Sequence, residues 1–159
     1  MIEGLSHMTF IVRDLERMTA ILTGVFDARE VYSSGEETFS TAREKFFQVG
    51  TLWIAIMEGE SLPSRTYNHV AFKIQESEIE AYEARIKALG LEMRRPRPRV
   101  DGEGRSIYFY DDDNHLFELH TGTLAERLDR YVRGRGNSGK GSAQRSGSAG
   151  REGKKQTMG

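Results

Sequence analysis

The stretch GLSHMTFIV, residues 4–12, has a counterpart in YNHVAFKI, residues 67–74. Side chains of different character alternate in both, which predicts β-strands because successive side chains of a strand point to opposite faces. His7 and His69 occupy equivalent positions, 62 residues apart. The first strand then presents His7 and Thr9 on one face, and the second strand presents His69 on the corresponding face. This repeated histidine strand is the feature that decides the fold.

Each histidine strand is followed by the same series of elements. Apolar residues at helical spacing predict a helix that starts at Asp14. A capping box from Ser77 to Glu80 predicts a second helix, which stops at Gly90. Three short strands are expected after each helix, near residues 30–33, 45–49 and 51–57 in the first half and 91–94, 106–110 and 115–120 in the second.

The order βαβββ therefore occurs twice, which predicts an α+β fold in a single domain, residues 1–133. The two units span about residues 1–59 and 66–122. Neither unit can bury a sheet face alone, so we expect them to pair into one curved mixed sheet with the helices on its convex side. The concave face is then the natural place for a site.

The C-terminal part of the chain divides into a helix and a tail. A capping box from Thr123 to Glu126 predicts a helix over residues 123–133 that ends at Gly134. Residues 134–159 are rich in Gly, Ser, Lys and Arg and have almost no large apolar side chain. Such a segment cannot bury enough surface to offset its ordering entropy, so we predict a disordered tail rather than a nucleic-acid-binding arm.

Composition excludes several classes of function. The 159-residue chain has a net charge of -1 and no cysteine. Disulfides, zinc-thiolate sites and cysteine nucleophiles are therefore excluded, and any metal ion must use histidine and carboxylate ligands. Basic residues are scattered and no apolar run approaches membrane-spanning length, so we expect no nucleic-acid or membrane partner. The N-terminal residues do not resemble a secretory signal, and we expect a cytoplasmic protein that acts on small molecules.

Three side chains of the predicted concave face can hold a divalent cation: His7, His69 and Glu118. Two imidazoles and one carboxylate form a facial set that leaves coordination positions open. A lone histidine in a strand is more often structural than a ligand, but the equivalence of the two histidines in the repeat favours ligation. Glu118 lies in the apolar run HLFEL, where an unpaired carboxylate is costly. Ala55 stands opposite Glu118 in the first unit, so only one site can have all three ligands.

The same alternation places further side chains on the concave face. Ser106, Tyr108 and Trp53 are expected there, although core packing is an equal explanation for the two aromatic residues. His120 is also on this face, farther along its strand, and is an alternative ligand. His115 points to the opposite face, so we predict a structural role for it.

Five segments carry a family resemblance: GLSHMT at 4–9, LW at 52–53, YNHVAF at 67–72, GRSIYFY at 104–110 and NHLFELHTGTLAERL at 114–128. Together they resemble the vicinal oxygen chelate superfamily, the glyoxalase I fold, and more narrowly the fosfomycin-resistance enzymes. The resemblance covers the chain to about residue 133 and implies that Mn2+ on the three predicted ligands assists opening of the epoxide of fosfomycin, a small phosphonate. Other divalent cations are compatible with the same ligands.

The family resemblance also indicates the nucleophile. Family members use glutathione, a bacterial thiol such as bacillithiol, or water. The segment FSTAREKFF, residues 39–47, is similar to that of the water-using X-type hydrolases. This implies that Glu44 is the general base and that the product is a diol, whereas the residue alone would be interpreted as an exposed glutamate. The alternatives are a thiol transferase acting on fosfomycin, another epoxide, lactone or dioxygenase enzyme on the same scaffold, and a module that sequesters an antibiotic without metal.

By the same resemblance, five side chains bind the phosphonate or shape the wall of its pocket: Thr9, Ser106, Tyr108, Arg127 and Trp53. An arginine suits this task because its paired donors match phosphoryl oxygens. The basic, glycine-rich loop over residues 95–105 is a candidate to close over the anion, and potassium binding there stays open. In this family the paired units come from two chains, which implies a domain-swapped homodimer.

Overall fold

A computed structural model describes residues 1–95 and 104–138 of the chain. It contains the predicted repeat of a strand, a helix and three strands, followed by a third helix. The first unit consists of β1 His7–Val12, α1 Leu15–Phe26, β2 Arg29–Ser33, β3 Glu44–Val49 and β4 Leu52–Glu58. The second unit consists of β5 His69–Lys73, α2 Ile79–Ala88, β6 Glu92–Met93, β7 Ser106–Tyr110 and β8 Leu116–His120, and α3 Leu124–Ser138 follows it.

The two units have the same strand topology. The described strands form two four-stranded sheets, in the orders β1-β4-β3-β2 and β5-β8-β7-β6. In each sheet the histidine strand pairs in parallel with the last strand of its unit, and the other pairings are antiparallel. The α+β fold with two βαβββ units is therefore confirmed. Within one chain, however, the described strands do not form the single curved sheet that we predict.

The two sheets share a core instead of a hydrogen-bonded edge. Phe10 of β1 lies 5.2 Å from Phe117 of β8, and Phe26 of α1 lies 4.7 Å from Phe72 of β5, measured between ring centres. All four rings are buried. Because apolar surface is stabilised by leaving water, each sheet turns its apolar face and its helix toward the other unit. The opposite faces, which carry His7 and His69, point outward.

The start of α1 and the end of α2 lie at the predicted signals. The Asp14 side chain accepts a hydrogen bond of 2.9 Å from the Arg17 backbone N–H, which confirms the predicted start of α1. Gly90 follows α2 with φ of 68°, in the left-handed region that glycine adopts without steric cost, and this confirms the predicted stop.

The start of α2 differs from the prediction. Residues 76–78 form a 3-10 turn before the helix, so Ser77 lies inside this turn and is not the residue that caps α2. The reciprocal cap lies two residues earlier, where the Gln75 backbone N–H donates to the Glu78 carboxylate at 3.0 Å. The predicted capping box from Ser77 to Glu80 is therefore wrong.

The third helix begins as predicted and extends farther. The Thr123 backbone N–H donates to the Glu126 carboxylate at 2.7 Å, and the Glu126 N–H donates to the Thr123 hydroxyl at 3.2 Å. The helix continues past Gly134 to Ser138. Glycine lowers helix propensity by about 1 kcal/mol without removing the backbone hydrogen bond, so Gly134 does not end the helix.

The predictions for the loop over 95–105 and for the tail fall mostly on residues outside the described part, namely 96–103 and 139–159. Within residues 1–95 and 104–138, no helix combines the length and the apolar character needed to cross a membrane.

Candidate metal centre and active site

The second sheet brings two of the three predicted metal ligands into contact. His69 is the first residue of β5, and Glu118 lies in the centre of the neighbouring strand β8. His69 Nε2 lies 2.9 Å from Glu118 Oε2. Two adjacent ligands with bonds of about 2.1 Å at right angles are separated by about 3 Å, so this spacing suits one shared cation.

The other ring nitrogen of His69 is held by the backbone. Nδ1 lies 2.8 Å from the Tyr67 carbonyl oxygen, which can only accept, so Nδ1 carries the proton. In the neutral ring, Nε2 then presents its lone pair toward the carboxylate. Two electron-rich atoms that face each other need a proton or a cation between them, and a backbone carbonyl on the far nitrogen is typical of metal-binding histidines.

Glu118 is a buried carboxylate with unused bonding capacity. Its side chain is 6% exposed, and Oε1 accepts no hydrogen bond of ordinary length and angle. Burial raises the pKa of this carboxyl, but the hydroxyls of Ser106 and Tyr108 and the rings of His120 and His69 outweigh burial and lower it overall. Glu118 is therefore a carboxylate at neutral pH, and its orphaned oxygen fits a metal ion.

Polar groups surround this carboxylate along the next strand. Tyr108 of β7 is directly opposite Glu118 in the strand register, so both side chains lie on one face. Burial, followed by the Tyr67 hydroxyl and Glu118, raises the pKa of the Tyr108 phenol. The phenol therefore stays protonated and can donate a hydrogen bond to an anion. Ser106 and His120 are paired two register positions farther along, where Ser106 Oγ lies 2.9 Å from His120 Nδ1.

The first sheet carries the remaining predicted residues on one face. The register pairs His7 with Trp53 and Thr9 with Ala55, so these four side chains share a face, as predicted. The ring centres of His7 and Trp53 are 4.3 Å apart, and His7 Nδ1 lies 3.1 Å from the Ser6 hydroxyl. His7, Thr9 and Trp53 are exposed on this face in the single chain, whereas Ala55 is buried.

Glu44 is on the same face as His7 and Thr9. The register pairs Glu44 with Met57, which in turn pairs with Ile11, two positions beyond Thr9 on the same side of β1. The Glu44 side chain is half-buried, and among residues 1–95 and 104–138 it makes no hydrogen bond or ion pair. Its carboxylate is therefore available to accept a proton.

One chain brings together only two of the three predicted metal ligands. His7 is in the first sheet, whereas His69 and Glu118 are in the second. In the described part of the chain, no three histidine, aspartate or glutamate side chains come together in a group that could hold a metal ion. Arg127, in the first half of α3, is half-buried there.

His115 has the structural contacts that we predict. Its Nδ1 lies 2.7 Å from Asp111 Oδ2, and its ring meets Phe10 edge-on at 5.1 Å. It precedes β8 and lies away from Glu118, which agrees with the alternation in the sequence.

One contact beside the second sheet escapes sequence reasoning, and one lysine that strand alternation places on the face of His69 adds a charge to the site. The Tyr67 carbonyl orients His69, and no side-chain pattern can indicate a backbone contact of this kind. Lys73 is paired with His120, which is paired with Ser106, so a lysine lies on the concave face. Strand alternation from His69 already indicates this position, and the positive charge suits an anionic ligand.

Comparison with known proteins agrees with this geometry. Residues 4–119 match the model of the Glyoxalase/Bleomycin resistance protein/Dioxygenase superfamily. The fosfomycin resistance protein FosX of Mesorhizobium japonicum is 70% identical over 134 residues, which are 84% of this chain and 96% of that protein. This chain belongs to the FosX family.

Solved FosX structures are similar along almost their whole length. One from Listeria monocytogenes, a variant complexed with Mn(II) and 1S,2S-dihydroxypropylphosphonic acid, is 62% identical with a TM-score of 0.76, and the match covers 82% of this chain and 99% of the other. The metallothiol transferase FosB of Shouchella clausii is 37% identical and matches 82% of this chain and 88% of that protein. The FosX relatives are therefore markedly more similar than the thiol transferase.

Proposed function

We propose that this chain is a Mn2+-dependent epoxide hydrolase that adds water to the epoxide ring of fosfomycin, gives a diol and thereby confers resistance. The observation that carries the proposal is the contact between His69 and Glu118, whose buried Oε1 accepts no hydrogen bond and lies 3.6 Å from His120 Nδ1. The 62% identical FosX that binds Mn(II) together with a dihydroxypropylphosphonate supports both the metal and the diol product.

Metal binding is assigned to His69 and Glu118 of one chain and His7 of a second copy. When bound, Mn2+ supplies a Lewis acid and a fixed positive charge for oxygen atoms of the substrate. The protein contributes the orientation of the ligands, since the Tyr67 carbonyl holds the His69 ring with Nε2 toward the carboxylate. A module that only sequesters the antibiotic has no need of such a ligand set.

Glu44 is assigned as the general base. Its carboxylate has no competing partner in the described residues and lies on the face that carries His7. In the reaction it accepts a proton from the water that attacks the epoxide carbon opposite the leaving oxygen. The thiol transferases have no need of such a base, because a thiolate is already a nucleophile.

The phosphonate is bound by side chains from the first sheet, the second sheet and α3. Thr9 of the first sheet and Ser106 and Tyr108 of the second can donate hydroxyl hydrogen bonds, and the raised pKa of Tyr108 keeps its proton available. Arg127 adds a guanidinium from α3. Trp53, which is 40% exposed beside His7, forms part of the wall.

The division of the site between two sheets supports a domain-swapped homodimer. In one chain the two sheets pack through their apolar faces, so their polar faces cannot meet across the shared core. Exposed apolar residues also occur beside the strands that carry the predicted ligands. Ile2 and Leu5 precede β1, and Leu124, Leu128 and Tyr131 lie on one side of α3, which follows β8. A second copy that covers these residues brings its His7 face opposite Glu118. A cytoplasmic location stays a prediction from the sequence.

Product analysis by phosphorus NMR separates water from thiol as the nucleophile. Purified protein with Mn2+ and fosfomycin is incubated with and without glutathione or bacillithiol. We expect the diol without thiol, and a loss of roughly 100- to 10,000-fold in Glu44→Gln, the usual contribution of a general base. Glu37→Gln, which alters an exposed glutamate in the preceding loop, is the matched control. An absolute requirement for thiol would show that the chain is a transferase.

A further inference from the structure

The beginning of β3 is held by contacts from several elements of the first unit. Three successive residues are each attached to a different part of the first unit. Arg43 is paired with Glu58 at the end of β4, the Glu44 backbone is paired with Ser34 after β2, and Lys45 reaches α1 and β2 through ion pairs of 2.7 Å and 3.3 Å. The Glu44 carboxylate, by contrast, has no hydrogen bond or ion pair to any residue in the described ranges.

The contact between Arg43 and Glu58 has the geometry of a two-pronged salt bridge. Arg43 Nε donates to Glu58 Oε2 at 2.9 Å, and Nη2 donates to Oε1 at 2.6 Å. Both side chains are about one-third exposed, at 34% and 39%. Paired parallel hydrogen bonds fix the orientation of both groups. The hydrogen bond with Glu58 raises the pKa of Arg43, and that from Arg43 lowers the pKa of Glu58, so the pair stays charged.

Glu58 is a rigid attachment point. It is the last residue of β4, a central strand of the sheet, and it is paired with Val12 of β1 on one side. On the other side its backbone N–H donates to the Arg43 carbonyl at 2.9 Å. A second acidic partner of Arg43, Glu36, lies 3.1 Å away but is 91% exposed, and so contributes little.

Ser34 holds the other edge of the same peptide segment. It is 8% exposed, its hydroxyl accepts from the Glu44 N–H at 3.0 Å, and its own N–H donates to the Glu44 carbonyl at 3.0 Å. The backbone at Arg43 and Glu44 is therefore fixed from both sides, by β4 and by Ser34. With the backbone fixed, the Glu44 carboxylate can change direction only through the rotamers of its own side chain.

We infer that Arg43, anchored by Glu58 and aided by Ser34, is a positioning residue that sets the direction of the Glu44 carboxylate, an inference that rests on the proposed role of Glu44 as general base. Arg43 itself touches neither substrate nor metal. Catalysis by a base depends steeply on position, and a displacement of about 1 Å can cost roughly 100-fold in rate. The salt bridge therefore acts on the rate of proton removal and not on substrate binding.

A double-mutant cycle tests this inference. Steady-state rates are measured by phosphorus NMR in the Mn2+-loaded dimer for Arg43→Ala, Glu44→Gln and the double variant. We expect Arg43→Ala to lower kcat by roughly 10- to 100-fold in the wild-type background and by less than about twofold in the Glu44→Gln background. The KM for fosfomycin and the Mn2+ affinity should each change by less than about twofold, because the groups that bind both lie elsewhere.

Conservative variants and a control complete the design. Arg43→Lys keeps the positive charge but loses the paired N–H donors, and Glu58→Gln keeps the shape but loses the negative charge. Both variants should give intermediate losses of kcat, and they carry the test if Arg43→Ala does not fold. Arg85→Ala removes a more exposed pair with Asp27, 2.6 Å long, on the side of the helices, and should leave kcat unchanged.

Three results overturn the inference: equal losses in both backgrounds, a rise in KM as large as the fall in kcat, or no loss in any Arg43 variant. Full activity of Glu44→Gln alone contradicts the proposed base itself, which is a separate failure.

Discussion

Mixed dimers provide the sharpest test of the division of the site between two chains. His7→Ala removes a ligand from the first sheet, and Glu118→Ala removes one from the second. Each variant alone should be inactive, since each lacks one of three metal ligands. In a swapped dimer that contains one chain of each kind, one site has both changes and the other has neither. The pure mixed dimer should therefore have about half of the wild-type activity, and a randomly reassorted mixture about a quarter.

A second mixed dimer gives the opposite result. When both changes are on one chain and the partner is wild type, each site of a swapped dimer lacks one ligand, so no activity is expected. If each chain instead formed its own site, this dimer would keep about half of the activity and the first mixed dimer would have none. The two arrangements are therefore distinguished by which dimer is active.

The assay uses two affinity tags. Co-expression of differently tagged chains and two successive purifications isolate the mixed dimer, and diol formation is followed by phosphorus NMR with Mn2+. A wild-type dimer with both tags sets the reference rate. Activity of the double-variant pair, together with inactivity of the complementing pair, would refute the assignment of His7 to the site of a second copy.

Further predictions concern stability, pH and the dimer surface. Phe117→Ala, at a fully buried ring in the shared core, should lower the free energy of unfolding by about 3–5 kcal/mol in urea denaturation. Arg43 lowers the pKa of Glu58 below its ordinary value of 4.5, so the salt bridge stabilises the fold above that pH. The stability advantage of the wild type over Arg43→Ala should therefore disappear as the pH falls through the folded pKa of Glu58. An advantage that persists after Glu58 is protonated would contradict this. Leu128→Glu on α3 should weaken dimerisation by roughly 10- to 100-fold in analytical ultracentrifugation, whereas Arg133→Glu on the opposite side of the helix should not.

Much of the fold could be predicted from local patterns. The strand around His7, the helix after Asp14 and the stop at Gly90 depend on side-chain alternation, capping and the conformational freedom of glycine, all of which act within a few residues. The predicted capping box at Ser77 was wrong, because a 3-10 turn precedes α2 and the reciprocal cap of Gln75 and Glu78 belongs to that turn.

The sequence by itself determined which side chains share a strand face, because the period of two is a property of the backbone. It thus placed His7 with Thr9, and Glu118 with His120, before any tertiary contact was known. Only the tertiary structure decided that the two sheets of one chain turn their apolar faces to each other, which separates His7 from Glu118. That choice depends on the packing of aromatic residues far apart in the sequence, such as Phe10 and Phe117, whose ring centres lie 5.2 Å apart.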